Sequence, residues 1–166
     1  MMKMSPKKLL LRVAALLTVT ACVIGFSGCY QSKKRDYDKA KFKYSVNKDD
    51  TVTITGVDDG GNEMNGIKVP RTIEGKTVTV IGKSAFSEGE MVGGDEKYLI
   101  VLPDTITKIE KYAFSHSSIK DITIPDSVVE IEEGAFSGVK LESVIVPKDT
   151  KIAEKAFSDS VKIIRK

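Results

Sequence analysis

Four stretches of this chain share one phrase: Ile81-Gly-Lys-Ser-Ala-Phe-Ser87, Ile109-Glu-Lys-Tyr-Ala-Phe-Ser115, Ile131-Glu-Glu-Gly-Ala-Phe-Ser137 and Ile152-Ala-Glu-Lys-Ala-Phe-Ser158. Each reads Ile-x-x-x-Ala-Phe-Ser. The phenylalanines Phe86, Phe114, Phe136 and Phe157 follow one another at spacings of 28, 22 and 21 residues. A second phrase runs in phase with the first: Ile67-Lys-Val-Pro70, Ile100-Val-Leu-Pro103, Ile122-Thr-Ile-Pro125 and Val144-Ile-Val-Pro147. Two phrases in step, four copies each, define an internal repeat, and such a period signals a stacked architecture.

Working outward, each unit has a physical reading. The apolar-x-apolar-Pro phrase is a short strand by its alternation and its β-branched residues. The proline ends it, because proline has no N–H to give a ladder. A second extended piece follows, as in Val78-Thr-Val-Ile81 and Val128-Val-Glu-Ile131. The Ala-Phe pair then closes the coil. Alanine permits close backbone approach, and phenylalanine fills the space between coils. A coil of roughly 22 residues cannot hide its own apolar edge, so stacking makes the core continuous. Phe86, Phe114, Phe136 and Phe157 are therefore expected to form an interior ladder.

These repeats resemble the BspA-type leucine-rich repeat of bacterial cell-surface proteins, whose pattern is approximately Leu-x-x-Ile-x-Ile-Pro-x-x-Val-x-x-Ile-x-x-x-Ala-Phe. Ile119, Ile122, Ile124, Pro125, Val128, Ile131, Ala135 and Phe136 match it in turn. Leu141, Val144, Val146, Pro147, Ile152 and Phe157 match it again, with one residue fewer after the proline. Lys97 departs from the pattern where an apolar residue opens the repeat, and Ser87 to Lys97 carries a Gly-rich, acidic insertion. The resemblance implies a mainly β fold: a short leucine-rich-repeat solenoid over residues 64–166. It also implies non-catalytic binding or adhesion at a cell surface.

Residues 42–63 read differently. Phe42-Lys-Tyr-Ser-Val46 and Thr51-Val-Thr-Ile-Thr55 alternate around an Asn47-Lys-Asp-Asp50 turn. That is a β-hairpin, placed to cap the exposed edge of the first coil. At the other end, Val161-Lys-Ile-Ile-Arg-Lys166 reads as a last partial strand, its cations blunting the edge.

The first residues belong to neither part. Lys3, Lys7, Lys8 and Arg12 precede an uncharged, mostly apolar run from Val13 to Phe26, fourteen residues long. That length fits the core of an export signal and is short for a membrane span. Phe26-Ser-Gly-Cys29 resembles the lipobox of bacterial lipoproteins, which implies a signal peptide over 1–28 and a diacylglycerol on Cys29. Val19-Thr-Ala-Cys22 matches the lipobox more literally, but cleavage there leaves only about six apolar-run residues after Arg12. Residues 29–41 form a polar tether. Lipoprotein modification adds more than one acyl chain, and two lipid signals suffice for stable anchoring.

Composition narrows the function. With 41% hydrophobic and 30% charged residues among 166, the chain is globular rather than disordered. The formal charge of +3 comes from the N-terminal segments; from Tyr44 to Lys166 there are 16 basic and 21 acidic residues. A body of that sign has no electrostatic reason to bind nucleic acid. One His and two Cys exclude a disulfide scaffold and a Cys/His zinc cluster. His116 stands alone. Asp58-Asp-Gly-Gly-Asn-Glu63 shares elements of a calcium loop without its ligand spacing. The pairs Asp49-Asp50 and Glu132-Glu133 nominate no glycosidase dyad. No nucleophile elbow and no phosphate-binding Gly loop appears. With no Trp and five Tyr, stacking platforms for a carbohydrate are scarce. The reading is a chain without catalytic residues, metal, cofactor or small-molecule substrate.

That leaves a surface. Alternation points Ile100, Leu102, Ile122, Ile124, Val144 and Val146 inward. It points Leu99, Val101, Asp121, Thr123, Ser143 and Ile145 outward. Ordinary sheet exposure accounts for such residues. Alternatively Leu99, Val101 and Ile145 flanking Thr123 form an apolar stripe, rimmed by the 87–97 insertion, that meets a protein ligand outside the cell. A structural adaptor for a neighbouring envelope complex is the competing function.

Overall fold

Alternation and β-branching put the backbone into short strands, and the prolines and turns keep them short. The computed structural model describes residues 41–58, 66–87 and 98–166, with only the backbone described at Tyr98. Cys22, Cys29, residues 59–65 and most of the insertion lie outside the described residues. Within them there are twelve strands and no helix.

The hairpin is β1 (Lys41–Val46) and β2 (Val52–Asp58), antiparallel with a bulge at Lys43/Tyr44. Its turn is closed by Asp50 N–H donating to Asn47 O at 3.1 Å, with Asp50 in the left-handed region at φ 64°. β3 (Gly66–Lys68), β4 (Thr72–Ile73) and β5 (Lys76–Ile81) follow. β2 pairs in parallel with β5, burying Val52 and Ile54 completely, so the hairpin covers the first coil. Gly82 permits this approach: a Cβ there would fall 2.6 Å from Ile54 O, which accepts the Gly82 N–H. The equivalent residues Glu110 and Glu132 face another repeat instead of the cap.

From there each coil lays one strand in each of two rows. One row is β3, β6 (Tyr98–Val101) and β8 (Ile119–Ile122), then a separate pair, β10 (Ser143–Val146) with β12 (Lys162–Arg165). The other row runs β2, β5, β7 (Lys108–Ile109), β9 (Glu130–Ile131) and β11 (Lys151–Ile152), all parallel. The inward residues Ile100, Leu102, Ile122, Ile124, Val144 and Val146 are all buried.

The phenylalanine ladder lies between the coils. Ring centroids of Phe86–Phe114, Phe114–Phe136 and Phe136–Phe157 are 5.2, 5.0 and 4.8 Å apart, with planes within 14° of parallel. That step is close to the spacing of neighbouring strands, about 4.7–4.9 Å, because one coil advances the stack by one strand. The longer coil between Phe86 and Phe114 keeps the same step.

The turn that carries each phenylalanine has a backbone requirement invisible to periodicity. Ser84, Tyr112, Gly134 and Lys155, each just before the Ala-Phe pair, all adopt positive φ. This kink aims Ser84, Tyr112 and Gly134 N–H groups at carbonyls of the next coil, Lys111, Glu133 and Lys155. Phe86, Phe114 and Phe136 N–H groups do the same, at 2.7, 2.8 and 2.7 Å.

Two details differ from the sequence reading, and a third goes beyond it. β9 is only two residues long rather than four, because Val129 and Glu130 N–H groups both converge on Thr107 O. The backbone partner of Ile119 is Tyr98 rather than Lys97, because Lys120 is taken up in a bulge. The shortening after Pro147 falls beyond Thr150, which keeps the place of Ile106 and Val128. The Thr150 N–H donates to Pro147 O as those of Ile106 and Val128 do to their prolines. Thr150 is buried in that apolar slot, and its hydroxyl donates to Val128 O at 2.7 Å.

Candidate interaction surface

The outward positions of the first strand row are the candidate site. Val101 and Ile145 are 45% and 46% exposed, large values for branched apolar side chains on strands. Thr123 and Asp121 are exposed; Leu99 is half-buried, so the stripe is narrower at that end. Val101 and Thr123 line one shallow hollow of about 420 Å³, floored by Leu102, Ile124 and Pro125. Ile145 lies on the separate β10–β12 pair, where its register partner is Ile164, itself 39% exposed. The structure thus joins Val101 to Thr123 and joins Ile145 to Ile164. Ile164 extends the apolar surface, and alternation of the final strand with β10 is the signal that points to it.

The hollow has a charged rim. Asp104 and Asp126 occupy the position after the proline in successive coils and both line it. Arg71 pairs with Asp104, and the Lys166 ammonium lies 2.5 Å from Asp126. A second hollow of about 440 Å³ shares Asp126 and Lys166 and continues over Val129 and Pro147.

The other polar groups singled out in the sequence have structural employment. The His116 ring rests on Gly138, where a Cβ would fall 2.4 Å from Nδ1. Tyr112 rests in the same way on Gly134, at 2.3 Å. Asp49 accepts from the Thr51 hydroxyl at 2.7 Å, which holds its carboxyl below the usual range, and Asp50 pairs with Lys76. Glu110 and Glu132 accept the Lys83 and Lys111 N–H groups of the preceding coil, at 2.9 and 3.0 Å. Lys108 bridges Glu130 at 3.1 Å and Glu132 at 2.6 Å. Arg165 does more than blunt an edge: its guanidinium donates to Pro147 O, Lys148 O and Thr150 O. Among the described residues no group of three or more His, Cys, Asp or Glu is placed to hold a metal ion.

A parallel solenoid with one turn-filling phenylalanine per coil is a leucine-rich-repeat architecture. The family model of the BspA type leucine rich repeat region matches residues 79–165 in six copies, and the chain belongs to that family. No curated protein matches the chain. Among solved structures it is similar to the Treponema pallidum (T. pallidum) leucine-rich repeat protein, with 25% identity and a TM-score of 0.60. That match covers 75% of this chain and 61% of the other. It is also similar to the pneumococcal vaccine antigen PcpA, with 27% identity and a TM-score of 0.54, over 76% of this chain and 37% of the other. A leucine-rich repeat protein from Bacteroides ovatus, 21% identical with a TM-score of 0.52 over 77% and 40%, shares the fold. The chain spans less than two thirds of each of these relatives.

Proposed function

We propose that this chain is an exported lipoprotein, acylated on Cys29, that holds a non-catalytic protein-binding face outside the membrane. The binding face is made of Leu99, Val101, Thr123 and Ile145, joined by Ile164. One observation carries the reading: Val101 and Ile145 stand nearly half exposed on strands whose alternate residues are buried. Family membership supports it, since repeat solenoids present extended surfaces to partners. The similarity to a pneumococcal vaccine antigen supports outward exposure, because an antigen of that use is reached by antibodies. The signal-like run and lipobox-like Phe26-Ser-Gly-Cys29 support the anchor.

The face is tested with Val101→Ser/Ile145→Ser. The double variant is expected to keep the wild-type circular dichroism and melting temperature and to lose capture of the surface partner. Undiminished capture by the folded variant removes this face. For the anchor, Cys29→Ala is expected to abolish incorporation of labelled palmitate and release the protein from the membrane. Persistence of both in Cys29→Ala, with loss in Cys22→Ala, moves the anchor to Cys22.

A further inference from the structure

Lys166 offers a guide to the chemistry of the partner. Its ammonium reaches back across the strand row to Asp126, and its side chain lines both hollows. In the first hollow the floor is apolar and the two carboxylates, Asp104 and Asp126, stand one coil apart at the rim. Among the described residues lining that hollow, the one cation is Lys166 itself. Both carboxylates are mostly exposed, at 68% and 81%, and their ion pairs with Arg71 and Lys166 lie at the surface. Such pairs are weak and exchange readily. The body around them carries 21 acidic against 16 basic residues from Tyr44 onward, a field that draws cations.

We infer that this hollow accepts a lysine or arginine side chain from an extended, alternating apolar and basic segment of the protein partner, in the place that Lys166 now holds. The inference rests on the proposed binding face and specifies what that face recognises. The aliphatic stem of the incoming side chain lies on Val101, Leu102 and Pro125, and its charged end meets Asp126 and Asp104. Long basic side chains suit such a site, because the stem covers apolar surface while the head stays with the carboxylates. Lys166 is a competing occupant from the same chain, so its removal strengthens binding.

The test uses the purified full chain and fluorescein-labelled peptides read by anisotropy: (Val-Lys)₃, with (Val-Glu)₃ and (Ser-Lys)₃ for comparison. The expected result is salt-sensitive binding of (Val-Lys)₃ alone. Asp104→Asn/Asp126→Asn is expected to weaken it roughly tenfold, and Lys166→Ala to tighten it about twofold, the small effect expected for removing a weak surface pair. Circular dichroism establishes that the variants are folded. Equal binding of (Val-Glu)₃ or (Ser-Lys)₃, no change in the double Asn variant, or weaker binding by Lys166→Ala overturns the inference. Failure here is distinguishable from failure of the face. If Val101→Ser/Ile145→Ser loses its surface partner while the Asn variant binds peptide as wild type does, the face stands and the cation-accepting hollow falls.

Discussion

Phe114 shows what a single residue does in this fold. It is fully buried and stacks on Phe86 on one side and Phe136 on the other. Its near-parallel partners sit within the centroid distances at which aromatic pairs attract beyond their burial. Phe114→Ala should cost about 3–5 kcal/mol in urea unfolding. Phe157→Ala should cost less, since Phe157 is 7% exposed and has one ring neighbour among the described residues. Equal costs would mean that the rings are buried separately rather than as a column. The neighbouring turn residues follow another logic. Gly134 serves two purposes, a φ of 66° and room for the Tyr112 ring, whereas Tyr112 and Lys155 adopt the same backbone with side chains. The phenylalanines were legible from their spacing. The left-handed residues before Ala-Phe were not, because Ser, Tyr, Gly and Lys share no property a pattern could register.

At the scale of elements, coils are joined by ladders of side chains as well as backbone. Glu132 accepts from Lys111 N–H and pairs with Lys108, and Lys108 holds its carboxyl below the ordinary value of 4.5. In return Glu132, with Glu130, holds the Lys108 ammonium above 10.5. A depressed carboxyl contributes stability above its unfolded value and loses it as pH falls through the folded one. A raised ammonium contributes below 10.5 and loses it as pH rises through its folded value. Glu132→Gln should therefore be less stable than wild type near neutrality by about 1 kcal/mol. Urea titrations should show that difference vanishing in acid below the depressed value. A difference that persists there would assign it to packing.

The cap is the other element-scale device. Gly82 occupies the position of Glu110 and Glu132, and its missing side chain admits β2. Gly82→Val should expose Val52 and Ile54 amides to hydrogen exchange while the Phe114–Phe136 coils stay protected. Uniform loss of protection would mean that the hairpin and solenoid unfold as one unit. Alternation made the hairpin and most strands legible. The Lys120 bulge, the two-residue β9 and Thr150 in an apolar slot were not. Each is a local adjustment set by contact with the neighbouring coil.

For the molecule as a whole, stacking decides everything else. Because each coil repeats its neighbour, outward residues such as Val101 and Thr123 come side by side, as do Asp104 and Asp126. The candidate face was legible in the alternation of β6, β8 and β10. Its division was not, since β10 pairs with β12 and no pairing joins β8 to β10. Nor was the part of Lys166, which meets Asp126 across forty residues of sequence. The family fixes the scaffold, and under the proposed function these exposed residues, rather than the scaffold, would set what this member binds.

The ring column is open to direct measurement by aromatic nuclear Overhauser contacts in solution, with the phenylalanines individually assigned. The account predicts cross-peaks between Phe86 and Phe114, between Phe114 and Phe136, and between Phe136 and Phe157, and none between Phe86 and Phe136. A phenylalanine without ring neighbours, or a direct contact that skips a coil, would contradict it.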